Sequence, residues 1–336
     1  MDRDGGHAVA AGMSQGRARA RANIALAKYW GKSDLVLNLP AVPSVSVTLE
    51  PMITETRVTL DARAARDVLV LGGVEASEHE TKRAARALER IRGEAGAEDK
   101  ARVESVNHFP TASGLASSAS GFAALVAAAR RAYGLPRDPA KESAQARWCS
   151  ASAARSIFGG FVELPAGVPG DDGLAVTQLY PATYWDLRLP VAVITEGRKD
   201  VGSTDGMGLS KETSPYYDAW VAAAPDMAAA IRGAIAERDL SRLGPLAEHS
   251  FASMHALALS TSPPTIYFQP GSLAALATVR RLRADGVPVF ATMDAGPHVK
   301  AISSADDAPR VKKALEETTG VLRVLEARPG PDVEVD

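Results

Sequence analysis

The sequence lacks the features that mark secreted, membrane-bound and nucleic-acid-binding proteins. It has a single cysteine, Cys149, so no disulfide bond can form within the chain, which fits a reducing compartment. No stretch approaches the roughly 20 apolar residues that are needed to cross a bilayer. The net charge of −2 leaves no strong field that would attract nucleic acid or an acidic membrane. We therefore expect a cytoplasmic protein with neither nucleic acid nor membrane as a partner.

The first residues also lack the order of a secretory signal. Residues 1–23 carry a short apolar patch that glycine interrupts, and a run of arginines follows it. A secretory signal places its charge before a longer apolar block. Residues 1–19 are therefore predicted to be a disordered leader.

Several common catalytic patterns are incomplete. Residues 31–33 (GKS) match the end of a Walker A loop, but Leu26 stands where its first glycine belongs. The hydrolase elbow G-x-S-x-G is absent, because Ala119 occupies the position of its serine. His249 and His255 are six residues apart and have no cysteine beside them, which argues against a zinc site. The sequence therefore does not support a P-loop NTPase, an α/β-hydrolase or a zinc protein.

The hydrophobic pattern predicts short strands mixed with long helices. Strands are predicted at 44–49, 55–60, 67–71, 102–108, 189–195, 288–294 and 321–327. Helices are predicted at 78–92, 119–133, 217–235, 244–259 and 272–285. This mixture indicates an α+β chain with a boundary near residues 185–200. We expect an N-terminal α+β domain at 20–190 and a C-terminal α+β domain at 191–336.

The segment 110–121 (PTASGLASSASG) is the most informative stretch. Its small residues let the backbone come close to a ligand, and the helix that follows offers free N–H groups. The hydroxyl groups of Ser117, Ser118 and Ser120 add further donors. These features describe a phosphate cradle, and the alternative is a helix start that merely packs tightly.

A second cluster, residues 23–32 (NIALAKYWGK), places two cations around a phenol. Lys28 and Lys32 are four residues apart, with Tyr29 between them, after an apolar strand-like run. Such groups beside a glycine could hold a polyphosphate tail. A solvated lysine pair next to an aromatic residue in the core is equally consistent with this segment.

Two further segments each carry one charged group in a distinctive setting. In 150–160 (SASAARSIFGG), Arg155 stands among small residues and can approach a carboxylate or phosphate closely. In 294–298 (DAGPH), Asp294 ends a predicted strand ahead of a tight turn, where turn capping is the commonest use of aspartate. Neither segment is diagnostic by itself.

Together these four clusters resemble the mevalonate diphosphate decarboxylases, within the superfamily of galactokinase, homoserine, mevalonate and phosphomevalonate kinases. The matching runs occur in family order and span most of residues 20–300. They are ANIALAKYWGK (22–32), NLPAVPSVSVTL (38–49), NHFPTASGLASSASGFAAL (107–125), RSIFGGFVEL (155–164), KDVGSTDGM (199–207), SMHALALSTSPP (253–264) and ATMDAGPHVK (291–300). The resemblance implies two α+β domains that meet at a deep cleft, with the active site in the cleft, nucleotide and substrate on the N-terminal domain, and a homodimer.

The resemblance also implies roles for individual residues. Asp294 matches the catalytic aspartate, Arg155 the arginine that positions the substrate's carboxylate, and Lys28 a lysine near the reacting phosphate. Asn23 matches a substrate-orienting asparagine, and Ser203 matches a serine that reaches the reacting end. The positions that hold the substrate's diphosphate are matched by Tyr29, Lys32, Ser150 and Ser152. The ATP phosphate loop is matched by Gly114, Leu115, Ala116, Ser117, Ser118 and Ser120.

The implied reaction is the decarboxylation of mevalonate 5-diphosphate to isopentenyl diphosphate, ADP, phosphate and CO2, with ATP and Mg²⁺ required. ATP would turn the tertiary 3-hydroxyl group into a phosphate leaving group, a transfer that consists mostly of positioning and charge neutralisation. Asp294 would take the hydroxyl proton or hold it in line. Arg155 would orient the carboxylate that leaves as CO2.

Three alternatives remain open on the sequence. They are a relative that acts on mevalonate 5-phosphate, a kinase that phosphorylates the 3-hydroxyl group and stops, and a catalytically idle binding protein with the same fold. The chain departs from the family pattern at His298, where asparagine is usual, at Gly202, which replaces a common serine, and at residues 150–152, which carry less glycine. The retained aspartate, arginine and lysine favour an active decarboxylase.

Overall fold

The computed structural model describes residues 15–109, 117–197 and 200–336 and has the predicted α+β class. Its strands are β1 (Gln15–Ala27), β2 (Lys32–Asp34), β3 (Leu39–Pro40), β4 (Ser44–Asp61), β5 (Val68–Leu71), β6 (Val74–Glu75), β7 (Lys100–Asn107), β8 (Phe161–Leu164), β9 (Thr177–Tyr180), β10 (Val191–Val193), β11 (Phe290–Met293), β12 (Val299–Ile302), β13 (Arg323–Leu325), β14 (Arg328–Pro329) and β15 (Glu334–Val335). Its helices are α1 (Glu78–Ala95), α2 (Ser117–Ala132), α3 (Pro139–Cys149), α4 (Ala151–Ala154), α5 (Ser203–Thr213), α6 (Tyr217–Glu237), α7 (Leu240–Leu259), α8 (Pro270–Ala284) and α9 (Ala308–Glu316).

A nine-stranded sheet organises the first half of the chain. Its main order is β15-β1-β4-β7-β5-β6, and its strands pair antiparallel except for the parallel pair β5–β7. In β1, alanines alternate with arginines, so Ala18 and Ala20 face the core while Arg17 faces solvent. Helix α2 packs on this alanine face. Gly16 permits the approach, because a Cβ atom there would lie 2.3 Å from the carbonyl oxygen of Ala128.

Strand β4 unites two segments that the sequence predicts as separate strands. The predicted strands 44–49 and 55–60 form one strand of 18 residues. Strand β1 pairs with both parts, with a register shift between Arg21 and Asn23. The continuity of β4 therefore depends on its pairing with the long strand β1. A local hydrophobic pattern carries no information about such a partner.

A four-stranded antiparallel sheet, in the order β11-β12-β10-β13, organises the second half. The predicted strands 189–195, 288–294 and 321–327 all contain strands of this sheet, each shorter than predicted. Helices α8 and α9 cover the sheet and contribute Val279 and Leu315 to its core. Helix α6 runs without a break through Pro225.

One hydrophobic core joins the two sheets. It contains Ile24 of β1, Val191 of β10, Ile231 of α6 and Leu243 of α7, all fully buried. The end of β1 is therefore fixed against helices and strands from the second half of the chain. None of the described helices is long and apolar enough to cross a membrane.

Both ends of the described chain differ from the predicted boundaries. Residues 1–14 of the predicted leader lie outside the described residues, whereas residues 15–19, predicted to be disordered, form part of β1. At the other end, β14 pairs with β4 and β15 pairs with β1. Residues 328–336 thus return to the first sheet, although the sequence interpretation assigned them to the second domain. The domain division near residue 190 stays a prediction.

Candidate active site

A cavity of about 710 Å³ lies where elements from both halves of the chain converge. Its walls are the end of β1 and the loop after it, one face of α1, the start of α2, the α3–α4 junction, the start of α5, and the end of β11. The predicted site residues that line it are Asn23, Lys28, Tyr29, Lys32, Ser117, Ser118, Ser150, Ser152, Arg155, Ser203 and Asp294. Segments far apart in the sequence therefore meet around one space.

The predicted ATP phosphate loop is only partly accounted for. Gly114, Leu115 and Ala116 lie outside the described residues. Ser117 and Ser118 line the cavity at the first turn of α2. Ser120 does not line it: its fully buried hydroxyl forms a 2.6 Å hydrogen bond with Thr54. The prediction that Ser120 binds phosphate is therefore not supported, because its position on α2 turns it toward β4.

An ion pair between Lys28 and Asp294 lies on the wall of the cavity. The Nζ atom of Lys28 donates to Oδ1 of Asp294 at 2.8 Å and to the carbonyl oxygen of Ala25 at 2.7 Å. Burial lowers the pKa of Lys28 to about 8, although the charge of Asp294 opposes the change. Burial alone would raise the pKa of Asp294, but Lys28 and Lys300 outweigh it and hold that pKa below its usual range. Asp294 is therefore an ionised carboxylate at neutral pH.

The main chain around Asp294 is held by two buried histidines. Nε2 of His255 lies 3.1 Å from the carbonyl oxygen of Asp294, so this nitrogen carries the proton and donates it. Burial lowers the pKa of His255 to about 4. Nδ1 of His298 accepts from the backbone N–H of Ile194 at 3.1 Å, and burial lowers the pKa of His298 to about 3. Both rings are neutral near pH 7, and His298 braces the turn beside β10 instead of lining the cavity.

Arg155 and Asn23 form a second fixed pair. Nε of Arg155 donates to Oδ1 of Asn23 at 3.1 Å, and Nη1 donates to Oγ of Ser44 at 3.0 Å. Nδ2 of Asn23 in turn donates to Oγ of Ser156 and to the carbonyl oxygen of Ser152. These partners are neutral oxygens, so the buried guanidinium keeps its charge available for an anion. Burial lowers the pKa of Arg155 to about 10, which still leaves it protonated at neutral pH.

Another part of the cavity wall is rich in positive charge. Nζ of Lys32 donates to Oδ1 of Asn38 at 2.7 Å, and burial together with the nearby Arg83 lowers the pKa of Lys32 to about 8. The guanidinium of Arg83 donates to the carbonyl oxygen of Cys149. Among the described residues the buried hydroxyl of Tyr29 has no hydrogen-bond partner. Such a hydroxyl suits a bound anion, because an unpaired buried donor is otherwise costly, and the charge of Arg155 acts on it.

The net charge of the cavity wall is positive. The cationic side chains that line it are Lys28, Lys32, Arg83, Arg86 and Arg155. The carboxylates that line it are Asp205 and Asp294. Five positive charges against two negative charges favour polyanionic ligands.

The sequence interpretation missed three basic residues near the site. Arg83 and Arg86 are three apart on α1 and share one helix face, but that helix reads in the sequence as a charged surface helix. Lys300 closes the matched run at 291–300 without an assigned role, and its Nζ lies 3.9 Å from Oδ2 of Asp294. The helical spacing of Arg83 and Arg86 could have identified them from the sequence. Lys300 could be identified only once the pairing of β11 with β12 was known.

Comparisons with known proteins agree along nearly the whole chain. Residues 20–175 match the family model of the diphosphomevalonate decarboxylase-like N-terminal domain, and residues 189–327 match that of the mevalonate 5-diphosphate decarboxylase C-terminal domain. Diphosphomevalonate decarboxylase of Aspergillus fumigatus is 39% identical over 300 residues, which cover 83% of this chain and 74% of that protein. A structure of the mevalonate diphosphate decarboxylase from Enterococcus faecalis is 39% identical with a TM-score of 0.89 and covers 97% of this chain and 99% of that one. A structure described as MDDEF in complex with MVAPP, AMPPCP and magnesium is 40% identical, with the same TM-score and the same coverage.

Proposed function

The chain belongs to the mevalonate diphosphate decarboxylase family, and from this premise we propose that it converts mevalonate 5-diphosphate and ATP into isopentenyl diphosphate, ADP, phosphate and CO2. The observation that carries the proposal is the convergence of Asp294, Lys28 and Arg155 on one cavity with the serine-bearing start of α2. This arrangement provides a carboxylate, a buried ammonium group and a buried guanidinium beside a helix N-terminus. The carboxylate and the ammonium group serve the first step of the reaction, and the guanidinium serves the second.

The first step transfers the terminal phosphoryl group of ATP to the 3-hydroxyl group of the substrate. The ionised Asp294 accepts a hydrogen bond from that hydroxyl, aligns its oxygen with phosphorus and receives the proton as the new O–P bond forms. Lys28 holds Asp294 in place at 2.8 Å and faces the negative charge on the transferred group. Because phosphoryl transfer demands mainly alignment and neutralisation, a carboxylate of low pKa is adequate here.

The second step breaks the bond between C3 and its phosphate. Phosphate leaves with the electron pair, C3 becomes electron-deficient, and the electrons of the bond between C1 and C2 form the new double bond as CO2 departs. Arg155 pairs with the substrate's carboxylate and holds it at the required angle. Asn23 and Ser44 fix two sides of the guanidinium, so its direction is set before the substrate arrives.

The chain's residues also fit ATP and Mg²⁺. The N-terminus of α2, a helix of 16 residues, brings free N–H groups to the cavity, and Ser117 and Ser118 add hydroxyls that suit phosphate oxygens. Among the described residues no group of three or more His, Cys, Asp or Glu side chains could hold a metal ion. Mg²⁺ would bind mainly through nucleotide phosphates and water, and it would neutralise charge on the phosphates. The related structure described with AMPPCP and magnesium supports this requirement.

The cation-rich wall favours a diphosphate over a monophosphate at C5. Lys32, Arg83 and Arg86 line the cavity and carry three positive charges, which is more than the charge of about −2 on a single phosphate can neutralise. Binding energy gained there fixes the substrate away from the reacting carbon, which helps both steps. This wall is the reason to propose mevalonate 5-diphosphate, and not mevalonate 5-phosphate, as the preferred substrate.

One assay separates the candidate activities. The purified protein is incubated with Mg²⁺ and ATP together with mevalonate, its 5-phosphate or its 5-diphosphate, and ADP and CO2 are both measured. The proposal expects equal amounts of ADP and CO2, fastest with the 5-diphosphate. ADP without CO2 would indicate a kinase that stops after transfer, and ATP binding without turnover would indicate an idle member of the fold.

Membership of the family also suggests an oligomeric state and a cellular location. We propose that the enzyme works as a homodimer in the cytoplasm on a small-molecule substrate. Light scattering of the purified protein tests the first point, and cell fractionation tests the second.

A further inference from the structure

Lys300 lies behind Asp294, and we propose that it is a positioning residue whose ammonium group keeps the Asp294 carboxylate ionised and aimed at the cavity. This inference rests on the proposed function, because it assigns Lys300 a part in the phosphoryl-transfer step. Lys300 itself is buried, with 3% of its side chain exposed, and does not line the cavity among the described residues. It therefore acts through Asp294.

Strand pairing brings the two residues together. Lys300 on β12 stands directly opposite Thr292 on β11. Asp294 follows Thr292 by two positions at the end of β11, so the three side chains emerge on the same face of the sheet. Nζ of Lys300 lies 3.9 Å from Oδ2 of Asp294, while Nζ of Lys28 takes the other oxygen at 2.8 Å. Two lysines from different elements thus bracket one carboxylate.

A lysine at this position is costly unless it has a use. Its strand neighbours Val299 and Ala301 are fully buried in the core of the second sheet, and burial lowers the pKa of Lys300 against the pull of Asp294. A neutral side chain would avoid that desolvation. Asp294 already has Lys28 as a close partner, so charge pairing alone does not require a second cation. The second lysine instead biases the protonation and the direction of the carboxylate.

The other groups that face Asp294 do not replace Lys300. Lys28 approaches from the end of β1, and Arg155 acts on the carboxylate from beyond α4. His255 on α7 is neutral and contacts the carbonyl oxygen of Asp294. When the ligands bind, the transferred phosphate draws on the charge of Lys28 and the substrate's carboxylate on that of Arg155, since both side chains line the cavity. Lys300 remains behind the carboxylate, with its Nζ atom 3.9 Å from Oδ2.

The consequence is a change in the pH range of activity. Asp294 serves only while ionised, so turnover falls as pH drops through its pKa. Removing Lys300 removes one of the two cations that lower that pKa most. The acid limb of the kcat profile therefore moves to higher pH, by about one unit for the loss of one nearby charge.

The test compares Lys300→Met, Lys300→Gln and Lys300→Arg with the matched surface control Lys313→Met on α9, whose side chain is 78% exposed. We measure kcat from pH 3 to 8 at saturating ATP and mevalonate 5-diphosphate, together with the substrate Kd, because the pKa of Asp294 lies below its usual range and the acid limb falls at the low end of this interval. The neutral variants should show the raised acid limb and an unchanged Kd, whereas Lys300→Arg and the control should keep the original limb. An unshifted limb in both folded neutral variants overturns the proposal, and so does a loss of kcat that is equal at every pH.

A second readout does not depend on turnover. In protein carrying ¹³C-labelled aspartate carboxyl groups, the Asp294 signal is identified by its absence from Asp294→Asn, and its titration is followed with and without Lys300→Met. A higher titration midpoint in the variant supports the role of Lys300 even if the enzyme uses another substrate. An identical midpoint removes Lys300 from the mechanism even if the decarboxylase activity is confirmed.

Discussion

Nε of Arg155 donates a 3.1 Å hydrogen bond to Oδ1 of Asn23, and this bond links two residues that are 132 positions apart. Asn23 lies on β1, and Arg155 follows α4. Because Nδ2 of Asn23 is itself bonded to Ser156, the asparagine cannot turn without breaking that contact. These hydrogen bonds within the protein therefore fix the direction of the guanidinium before any ligand binds.

We expect Asn23→Ala and Arg155→Ala to be strongly non-additive. Each single change should reduce kcat by about 10–100-fold, the cost of a lost hydrogen bond to a charged group, and ATP affinity should hardly change. The double variant should be little slower than Arg155→Ala, because Asn23 acts through the guanidinium. Measurement of kcat and of the ATP Kd for all three variants checks this. Additive losses would show that Asn23 contacts the substrate independently.

Asp294→Asn should lower kcat by about 10²–10⁴-fold, the usual contribution of a positioned acid or base. The asparagine keeps the size of the side chain but loses the charge that accepts the hydroxyl proton. The Kd values for ATP and substrate should stay close to those of the unchanged enzyme, because the amide oxygen of asparagine can still accept a hydrogen bond from the 3-hydroxyl group and ATP is not proposed to bind through Asp294. Steady-state kinetics together with calorimetric titrations test both points. Near-normal kcat would exclude Asp294 from the reaction.

The sequence predicted the chemical groups of the site better than their surroundings. Lys28, Arg155 and Asp294 stand in short runs that identify a family, so they were found without any knowledge of the sheets. Lys300 was missed because a strand partner brings it to the site, and Arg83 was missed because its helix face turns it toward the cavity.

The same distinction holds for the fold. The predicted helix 217–235 matches α6 closely because its periodicity is local. Strand β15 pairs residues more than 300 positions apart, and no local pattern reports such a contact.

The value of kcat/KM should fall as pH rises through about 8. In the ligand-free enzyme the pKa values of Lys28 and Lys32 both lie at about 8, so above this pH both ammonium groups lose their protons and their attraction for phosphate. The logarithm of kcat/KM should then fall with a slope approaching −2, because kcat/KM reports ionisation of the free enzyme. Lys32→Arg should reduce the slope to −1, since guanidinium stays charged. A flat profile up to pH 10 would contradict these pKa values.

Arg83→Met should selectively weaken binding of the 5-diphosphate. Loss of one charged donor predicts a rise in KM for mevalonate 5-diphosphate of about 10–100-fold, with a much smaller change for the 5-monophosphate. Lys82→Met is the matched control, because Lys82 lies on the exposed side of the same helix and pairs with Glu78. Equal effects of Arg83→Met on both substrates would mean that the arginine supports the fold of α1 and does not recognise the second phosphate.

The last residues of the chain should contribute to the stability of the first sheet. Val333 is 5% exposed within the core beneath α2, and its backbone N–H donates to the carbonyl oxygen of Ile157 at 3.0 Å. Val333→Asp places an unpaired carboxylate in that core and should lower the free energy of unfolding by about 3 kcal/mol or more. The same substitution at Val168, which is 71% exposed, should change it by less than about 0.5 kcal/mol. Urea unfolding of both variants, followed by circular dichroism, separates the outcomes. Equal stabilities would show that the return of the chain to β1 and β4 adds little, whereas a large loss at Val333 alone ties residues 328–336 to the first half of the molecule.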